Sequence, residues 1–224
     1  PVLAWWEPEI VIQFSDATVE ILSGDIDDPR TQEALQAINQ KGEIKDVAGT
    51  GEMVWSWDKR KYIQAFEDVK HLIQNGDVYE LNLCMPLKGK ASPQASWSLF
   101  CRLQNLTQAP FSGYLQCRSA RIMSGSPERF LKREGDRLMS QPIKGTVRRG
   151  SSAKEDNALI DALQSSDKER AENVMIVDLV RNDLSRIAQK ATVEVTELCG
   201  IHSFQTVHQM VSTIACRLRK DKGL

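Results

Sequence analysis

The sequence predicts an α+β fold made of largely antiparallel, sandwich-like β-sheets with helices packed outside them. Short strand-like runs, separated by turn signals of a few residues, favour antiparallel hairpins and meanders. Longer stretches instead repeat apolar residues at helical spacing. With 41% hydrophobic residues among 224, the chain has enough apolar surface for one large domain or two small ones.

The chain opens with a predicted hairpin over residues 9–23, in which two β-branched runs flank a Ser-Asp-Ala turn signal. The first strand is nearly all apolar, so we expect it to be a central strand of its sheet. Residues 25–51 are polar and charged, and they contain one predicted helix around residues 31–39. We expect little function from this stretch.

A second helix is predicted from its apolar spacing, with Ser56 or Asp58 as its N-cap and Gly76 just past its end. We expect its apolar stripe to cover a sheet; the stripe consists of Tyr62, Phe66, Val69 and Ile73. Residues 79–87 then alternate apolar and polar side chains, which predicts a strand with one core face and one polar face.

A third helix is predicted to open at Ser92-Pro93, because proline is harmless at the first helical position. Residues 113–141 follow as a meander of strands. We expect Glu128 on one of these strands and Lys144 just beyond the last. Neighbouring antiparallel strands would then bring the two side chains within reach of one substrate.

The second half of the chain contains a capping-box signature, Ser166-Asp167-Lys168-Glu169. This signature predicts a helix over residues 167–187 that carries Glu172 in its first two turns. Residues 193–195 and 204–216 are predicted as the closing strands, and the second is long enough to cross a whole sheet.

Composition argues against several classes of protein. The net charge is −1, with 29 Lys and Arg against 30 Asp and Glu, so no overall field attracts nucleic acid or an anionic membrane. No apolar run reaches the roughly 18 residues that span a bilayer, and the start lacks a secretory pattern. We therefore expect a cytoplasmic protein without nucleic-acid or membrane partners. Five cysteines, never spaced Cys-x-x-Cys, argue against a disulfide framework or a zinc site.

Three runs carry the candidate chemistry. They are Ser124-Gly125-Ser126-Pro127-Glu128-Arg129-Phe130, Pro142-Ile143-Lys144-Gly145-Thr146, and the stretch from Ala171-Glu172-Asn173 to Arg181-Asn182-Asp183. Together with residues 58–62, 76–83 and 208–212, they resemble the chorismate-utilising enzymes, the family of anthranilate synthase component I, aminodeoxychorismate synthase component I and the isochorismate and salicylate synthases. A lysine rather than an alanine in Pro-Ile-x-Gly-Thr resembles the aminodeoxychorismate synthase branch.

The resemblance implies that Lys144 attacks C2 of chorismate and drives out the C4 hydroxyl, after which ammonia adds at C4 and expels the lysine. The product would be 4-amino-4-deoxychorismate, on the route to 4-aminobenzoate and folate, with ammonia supplied by a glutamine amidotransferase partner. An ordinary lysine, of pKa about 10.4, is almost entirely protonated at pH 7, so a nucleophilic one needs burial or a nearby cation. A surface lysine in a turn is the alternative.

The same resemblance makes Glu128 the general acid near C4, and later the base, because loss of hydroxide needs a proton donor. The alternative is a strand-edge carboxylate paired with Arg129 or Lys132. Glu172 is implied to hold Mg²⁺, which neutralises the ring carboxylate of the substrate and takes only one or two protein carboxylates. A carboxylate near a helix N-terminus is also favourable without a metal.

Gly145, Thr146 and His208 are implied contacts of the substrate. Glycine permits close backbone approach, and a threonine hydroxyl can donate to an anion. His208 matches a family position near the substrate ring, although a lone strand histidine is more often a satisfied core residue.

The sequence departs from the family pattern in two places near these residues. Glu80 stands where relatives commonly have glutamine, which adds a negative charge near the site. Val147-Arg148-Arg149 replaces the commoner Arg-Pro-Arg, which removes one cation.

Relatives also continue past Leu224 through elements that supply a second metal carboxylate and hold the carboxylates of the substrate. We therefore expect both ends of the chain to be cut, and residues 1–224 to form a single incomplete chorismate-binding domain that is inactive alone. An anthranilate or isochorismate synthase, or a non-catalytic binding or regulatory domain of the same fold, stays open as an alternative.

Overall fold

The computed structural model describes residues 8–15, 18–39, 51–90, 92, 95–117 and 120–221. By its internal contacts the chain divides into two compact units, Pro1–Asp46 and Val47–Leu224. That residues 1–224 form a single incomplete domain therefore stays a prediction. The described elements are helices and antiparallel strands, which confirms the predicted α+β class. Within the described ranges, every helix is too short or too polar to cross a bilayer.

The first unit contains the predicted hairpin and helix. Strands β1 (Val11–Phe14) and β2 (Val19–Ser23) pair antiparallel, and helix α1 (Pro29–Asn39) follows. The prediction that the first strand is central is wrong, because within the described part of the chain β1 pairs only with β2. Phe14 is accordingly 54% exposed. Residues 16–17 of the predicted turn lie outside the described residues.

The second unit starts with β3 (Val54–Trp55) and helix α2 (Lys59–Gln74). Asp58 caps the helix, since its carboxylate accepts the N–H of Lys61 at 2.7 Å, as predicted. The expectation that α2 covers a sheet is wrong: none of its residues is buried, and Phe66 is 50% exposed.

The predicted strand over residues 79–87 is also mostly wrong. Only β4 (Leu87–Lys88) forms there, paired with Val54–Trp55. Alternation gives a strand only where a neighbouring strand accepts its backbone hydrogen bonds. Among the described residues no strand pairs with residues 79–86, and Tyr79 is 80% exposed.

Helix α3 (Ser96–Thr107) precedes a hairpin of β5 (Phe111–Cys117) and β6 (Ala120–Ser126). Pro93, the predicted start of the helix, lies outside the described residues. The predicted meander is confirmed as a succession of antiparallel strands, except that β5 and β6 form a separate two-stranded sheet.

A five-stranded antiparallel sheet is the centre of the second unit. It contains β7 (Arg129–Glu134), β8 (Arg137–Gln141), β9 (Ile143–Arg148), β10 (Glu194–Ser203) and β11 (Val207–Arg217). The long strand β11 pairs with β10 along one edge. Along its other edge it pairs first with β9 and then with β8. Both closing strands are thus confirmed, although β10 is longer than predicted.

Helices α4 (Ala153–Gln164) and α5 (Asp167–Ser185) pack against this sheet. Helix α5 begins at the predicted residue, with the Ser166 hydroxyl accepting the N–H of Glu169. Helix α4 was not predicted, although Ser152 caps it in the same way. Burying one large apolar side chain stabilises a fold by about 1.5–3 kcal/mol. The main buried cluster between α5 and the sheet comprises Leu138, Val177, Leu184, Ala188, Ile214, Cys216 and Leu218.

Candidate functional site

Lys144 follows β8, as predicted, but it lies inside a further strand, β9, that the sequence analysis did not predict. The pairing of β9 with β11 skips a position between Gln209 and Val211, opposite the segment that contains Lys144 and Gly145. Gly145 has φ of +83°, a backbone conformation that glycine adopts at no steric cost. A glycine bulge therefore distorts the strand directly after the candidate nucleophile.

The amine of Lys144 is bound by a carboxylate. Its Nζ lies 2.7 Å from Oε1 of Glu80, and the two side chains are 27% and 33% exposed. The distance is that of a charge-assisted hydrogen bond, which holds the amine against the carboxylate. A nucleophilic lysine is expected to have burial or a neighbouring cation, whereas the structure gives this amine a carboxylate partner.

Glu128 lies in the two-residue connection between β6 and β7, not on a strand as predicted. Its Oε1 accepts the N–H of Ile143 at 3.3 Å, so its carboxylate is held beside the residue that precedes Lys144. The two cations named as alternative partners bind elsewhere. Arg129 donates to Gln141 at 2.9 Å, and Lys132 pairs with Glu134 at 2.6 Å.

Glu169 also lies close to β9, and the sequence analysis did not single it out. A Cβ placed on Gly145 would lie 3.1 Å from the Cβ and from Oε2 of Glu169, and 3.0 Å from Cδ1 of Leu163. The absence of a side chain at Gly145 thus lets the start of α5 approach the strand. The capping box did point to Glu169, but only as a helix-start residue.

Glu172 lies one turn further along α5, on the same face as Glu169. Both carboxylates lie near the ammonium of Lys168, that of Glu172 at 3.7 Å and that of Glu169 at 3.5 Å. Carboxylate oxygens are the ligands that Mg²⁺ prefers, and one or two from the protein suffice, so the pair fits this ion. The described ranges contain no cluster of three or more His, Cys, Asp or Glu side chains arranged for a metal.

Thr146 is exposed and faces β11, where Nε2 of Gln209 lies 3.5 Å from its hydroxyl. It lines a cavity of about 360 Å³ together with Pro127 and Phe204. Glu80 lines a different cavity from Thr146, of about 590 Å³. The structure therefore places Glu128 next to the residue before Lys144, and the start of α5 next to Gly145.

His208 is fully buried, and both of its ring nitrogens have partners. Nε2 lies 2.9 Å from Oδ1 of Asp156, and Nδ1 lies 2.7 Å from the hydroxyl of Ser203. Arg149, then the N–H of Gly150 and His208, hold the pKa of Asp156 well below its ordinary value. This is the geometry of a satisfied core histidine, and the assignment of His208 to substrate contact stays a prediction.

A cavity of about 590 Å³ adjoins the Glu80 side of the ion pair. Its volume is typical of small-molecule sites. The lining residues come from the segment that contains Glu80 and from one side of α5; they are Val78, Tyr79, Glu80, Met175, Ile176, Asp178, Leu179 and Asn182. A lysine and several carboxylates around one bulged strand, beside a cavity of this size, are the features of an enzyme that acts on a small polar molecule.

The chain belongs to the chorismate binding enzyme family, whose model matches residues 4–224. It is 39% identical over 180 residues to an aminodeoxychorismate synthase of Streptomyces griseus. This match covers 79% of this chain and 24% of the relative. It is 34% identical over 209 residues to aminodeoxychorismate synthase component 1 of Escherichia coli K12, covering 93% of this chain and 46% of the relative. The chain thus spans less than half the length of these relatives.

The fold is similar to that of a solved structure, anthranilate synthase component I from Streptococcus pneumoniae. The TM-score is 0.73, and the match covers 92% of this chain and 47% of that chain. Sequence identity is 23%, so this likeness supports the fold alone.

Proposed function

We propose that the chain is part of an aminodeoxychorismate synthase component 1, which converts chorismate and ammonia into 4-amino-4-deoxychorismate. The observation that carries the proposal is that the Glu128 carboxylate accepts the N–H of Ile143, the residue directly before Lys144, at the start of β9. The resemblance of the chain to two aminodeoxychorismate synthases supports the choice of reaction. The product would enter the synthesis of 4-aminobenzoate and folate.

In the proposed reaction the amine of Lys144 forms a bond to C2 of chorismate while the bond from C4 to its hydroxyl breaks. Ammonia then forms a bond at C4, and the bond between C2 and the lysine nitrogen breaks. Splitting the replacement into two steps through a covalent intermediate is the general advantage of nucleophilic catalysis. Position supports this role, because the residues on either side of the bulge, Ile143 and Thr146, pair with β11 and so anchor the segment that contains Lys144.

Glu128 donates a proton to the departing C4 hydroxyl and later removes one from the incoming ammonia. Its exposed carboxylate accepts the N–H of Ile143, and this contact with the residue that precedes Lys144 supports the role. A general acid of this kind contributes about 10²–10⁴ to the rate. Gly145 and Thr146 would contact the substrate from the same strand.

Glu172 would hold Mg²⁺, and Glu169, one helical turn earlier, is positioned to assist it. When bound, the ion would neutralise a carboxylate of the dianionic substrate. The side chain of Lys168, whose ammonium lies near both carboxylates, is 75% exposed, so water could replace these contacts when the ion binds.

Ammonia would come from a glutamine amidotransferase partner. The name component 1, borne by the Escherichia coli relative, implies a second component for that protein, and we extend this arrangement to the present chain. We also propose that the protein works in the cytoplasm, without nucleic acid or membrane as a partner.

The direct test is product analysis with the full-length protein. We expect chorismate, Mg²⁺ and an ammonium salt to yield 4-amino-4-deoxychorismate, identified by its mass and by conversion to 4-aminobenzoate with a lyase. Formation of anthranilate or isochorismate would instead place the protein in another branch of the family. If chorismate binds but is never consumed, the protein is a non-catalytic binding domain.

A further inference from the structure

We propose that Glu80 is the positioning residue of Lys144: it holds the amine as an ammonium in the resting site and takes up its proton when the amine attacks. This inference rests on the proposed function, because it assigns a partner to the nucleophile of that reaction. From the sequence, Glu80 was notable only as an added negative charge near the site.

The contact is short and partly sheltered from water. Nζ of Lys144 and Oε1 of Glu80 are 2.7 Å apart, the length of a charge-assisted hydrogen bond. The two side chains are 27% and 33% exposed, whereas those of Lys132 and Glu134, which form an ordinary surface pair at 2.6 Å, are 41% and 62% exposed. Partial burial makes the first pair less screened by solvent than the second.

Ligand binding is expected to change the state of this pair. Water still reaches both groups at rest, and water favours two charges over two neutral groups. A ligand that fills the adjoining cavity, which Glu80 itself lines, would remove that water. Desolvation disfavours the charged forms of lysine and of glutamate alike, so it favours transfer of the proton from one to the other.

The proton transfer is balanced within the pair. An N–H bond of Lys144 breaks, an O–H bond forms on Glu80, and the net charge of the pair stays at zero. The nitrogen lone pair is then free to attack the substrate, and the proton is available for return when the lysine leaves.

Other charged groups surround β9, but they bind elsewhere. Glu128 accepts the N–H of Ile143, and Glu169 and Glu172 lie beside Lys168. Within the described part of the chain, Glu80 is the carboxylate that bonds the amine of Lys144. Removing it should therefore affect the lysine more than removing any of the others.

The first arm of the test labels lysines in the free, full-length protein with trinitrobenzenesulfonate from about pH 6 to 10, and quantifies each labelled peptide by mass spectrometry. In Glu80→Gln we expect Lys144 to be labelled faster, by about tenfold near pH 8, because its amine loses the carboxylate that binds it. Glu80→Asp, which keeps the charge, should raise the labelling rate less. The matched control Glu134→Gln should raise the labelling rate of Lys132 and leave that of Lys144 unchanged.

The second arm measures amination of chorismate. Glu80→Gln should lower kcat by about tenfold or more with little change in KM, because the proton acceptor is gone. Labelling and turnover thus move in opposite directions, which a merely structural role would not produce. An unchanged labelling rate for Lys144 in Glu80→Gln, an equal gain in Glu169→Gln, or faster turnover in Glu80→Gln would overturn the inference. Absence of turnover in the unaltered protein would count against the proposed function, and the labelling arm would still decide the ion pair.

Discussion

Glu128 and Ile143 are joined by a hydrogen bond in which a side-chain oxygen of the first accepts the backbone N–H of the second, at 3.3 Å. The two residues are 15 positions apart and lie in different segments, a connection and a strand. Because Ile143 directly precedes Lys144, this bond determines where the candidate acid lies relative to the candidate nucleophile.

Replacing Glu128 with glutamine tests the role of its proton. The amide oxygen can still accept the N–H of Ile143, so the fold should be unaffected, but the side chain can no longer donate an acidic proton. We expect the rate of amination to fall by about 10²–10⁴, with an unchanged unfolding temperature. Glu134→Gln, an exposed carboxylate on β7, is the control and should keep its activity. A rate for Glu128→Gln within twofold of the unaltered protein would exclude general acid catalysis by this residue.

Replacing Glu172 with glutamine tests the metal assignment. We expect the Mg²⁺ concentration for half-maximal activity to rise by roughly tenfold or more, since even partners of metal ligands affect affinity by that factor. Glu67→Gln is a matched control, because Glu67 is also a helical carboxylate next to a lysine, Lys70, at 3.6 Å. Equal Mg²⁺ dependence in Glu172→Gln and the control would show that Glu172 does not hold the ion.

Gly145→Ala tests the close approach of β9 and α5. The positive φ alone costs about 1–2 kcal/mol for a residue with a Cβ, and the new methyl group would press on Leu163 and Glu169. Gly76→Ala is the control, because Gly76 has a similar φ of +78° but nothing within 4 Å of an added Cβ. In urea unfolding we expect Gly145→Ala to lose at least about 1 kcal/mol more than Gly76→Ala, because overpacking adds its own cost. An equal loss of unfolding free energy in the two variants would mean that the contact between Gly145 and α5 is loose.

The stability of the second unit should fall in acid through the carboxylates at the start of α4. Hydrogen bonds from Ser151 and Arg148 lower the pKa of Glu155 from 4.5 to about 2, and Arg149 leads the groups that lower the pKa of Asp156. A lowered folded pKa gives stability above the unfolded value, and this stability is lost as the pH falls toward the folded value. The loss due to Glu155 should therefore develop between about pH 4.5 and pH 2.

Urea midpoints measured at pH 6 and pH 3 check this prediction. The unaltered chain should lose stability between the two values. Asp156→Asn should be less stable at pH 6, because Arg149 and His208 lose a charged partner, and it should lose less on acidification. An equal acid loss in both proteins would mean that Asp156 does not contribute.

The sequence predicted the elements that local signals determine. Asp58 and Ser166 begin their helices as their capping patterns require, and the strands that precede Lys144 form the predicted meander, whereas β9 itself was not predicted. The strand prediction failed over residues 79–86, because alternation indicates which side chains would share a face but not whether a partner strand exists. Helix α4 was overlooked although Ser152 and Glu155 have the same spacing as the capping box that did reveal α5.

The site was predictable in its residues but not in its contacts. Lys144 and Glu128 were identified from the residues around them in the sequence. The position of Glu128 in a connection, however, depends on where β6 ends and β7 begins. The pair of Lys144 with Glu80 joins residues 64 positions apart, a separation at which no local pattern operates. The burial of His208 likewise depends on Asp156 and Ser203, which only the folded chain brings to it.

The most direct test of the account is to trap the covalent intermediate on Lys144. The full-length protein is incubated with chorismate and Mg²⁺ without ammonia, quenched, digested and examined by mass spectrometry. We predict a peptide containing Lys144 that carries the mass of chorismate less one water, absent in Lys144→Ala and lost when ammonia is added before the quench. Normal amination by Lys144→Ala, or an adduct on another residue, would contradict the account.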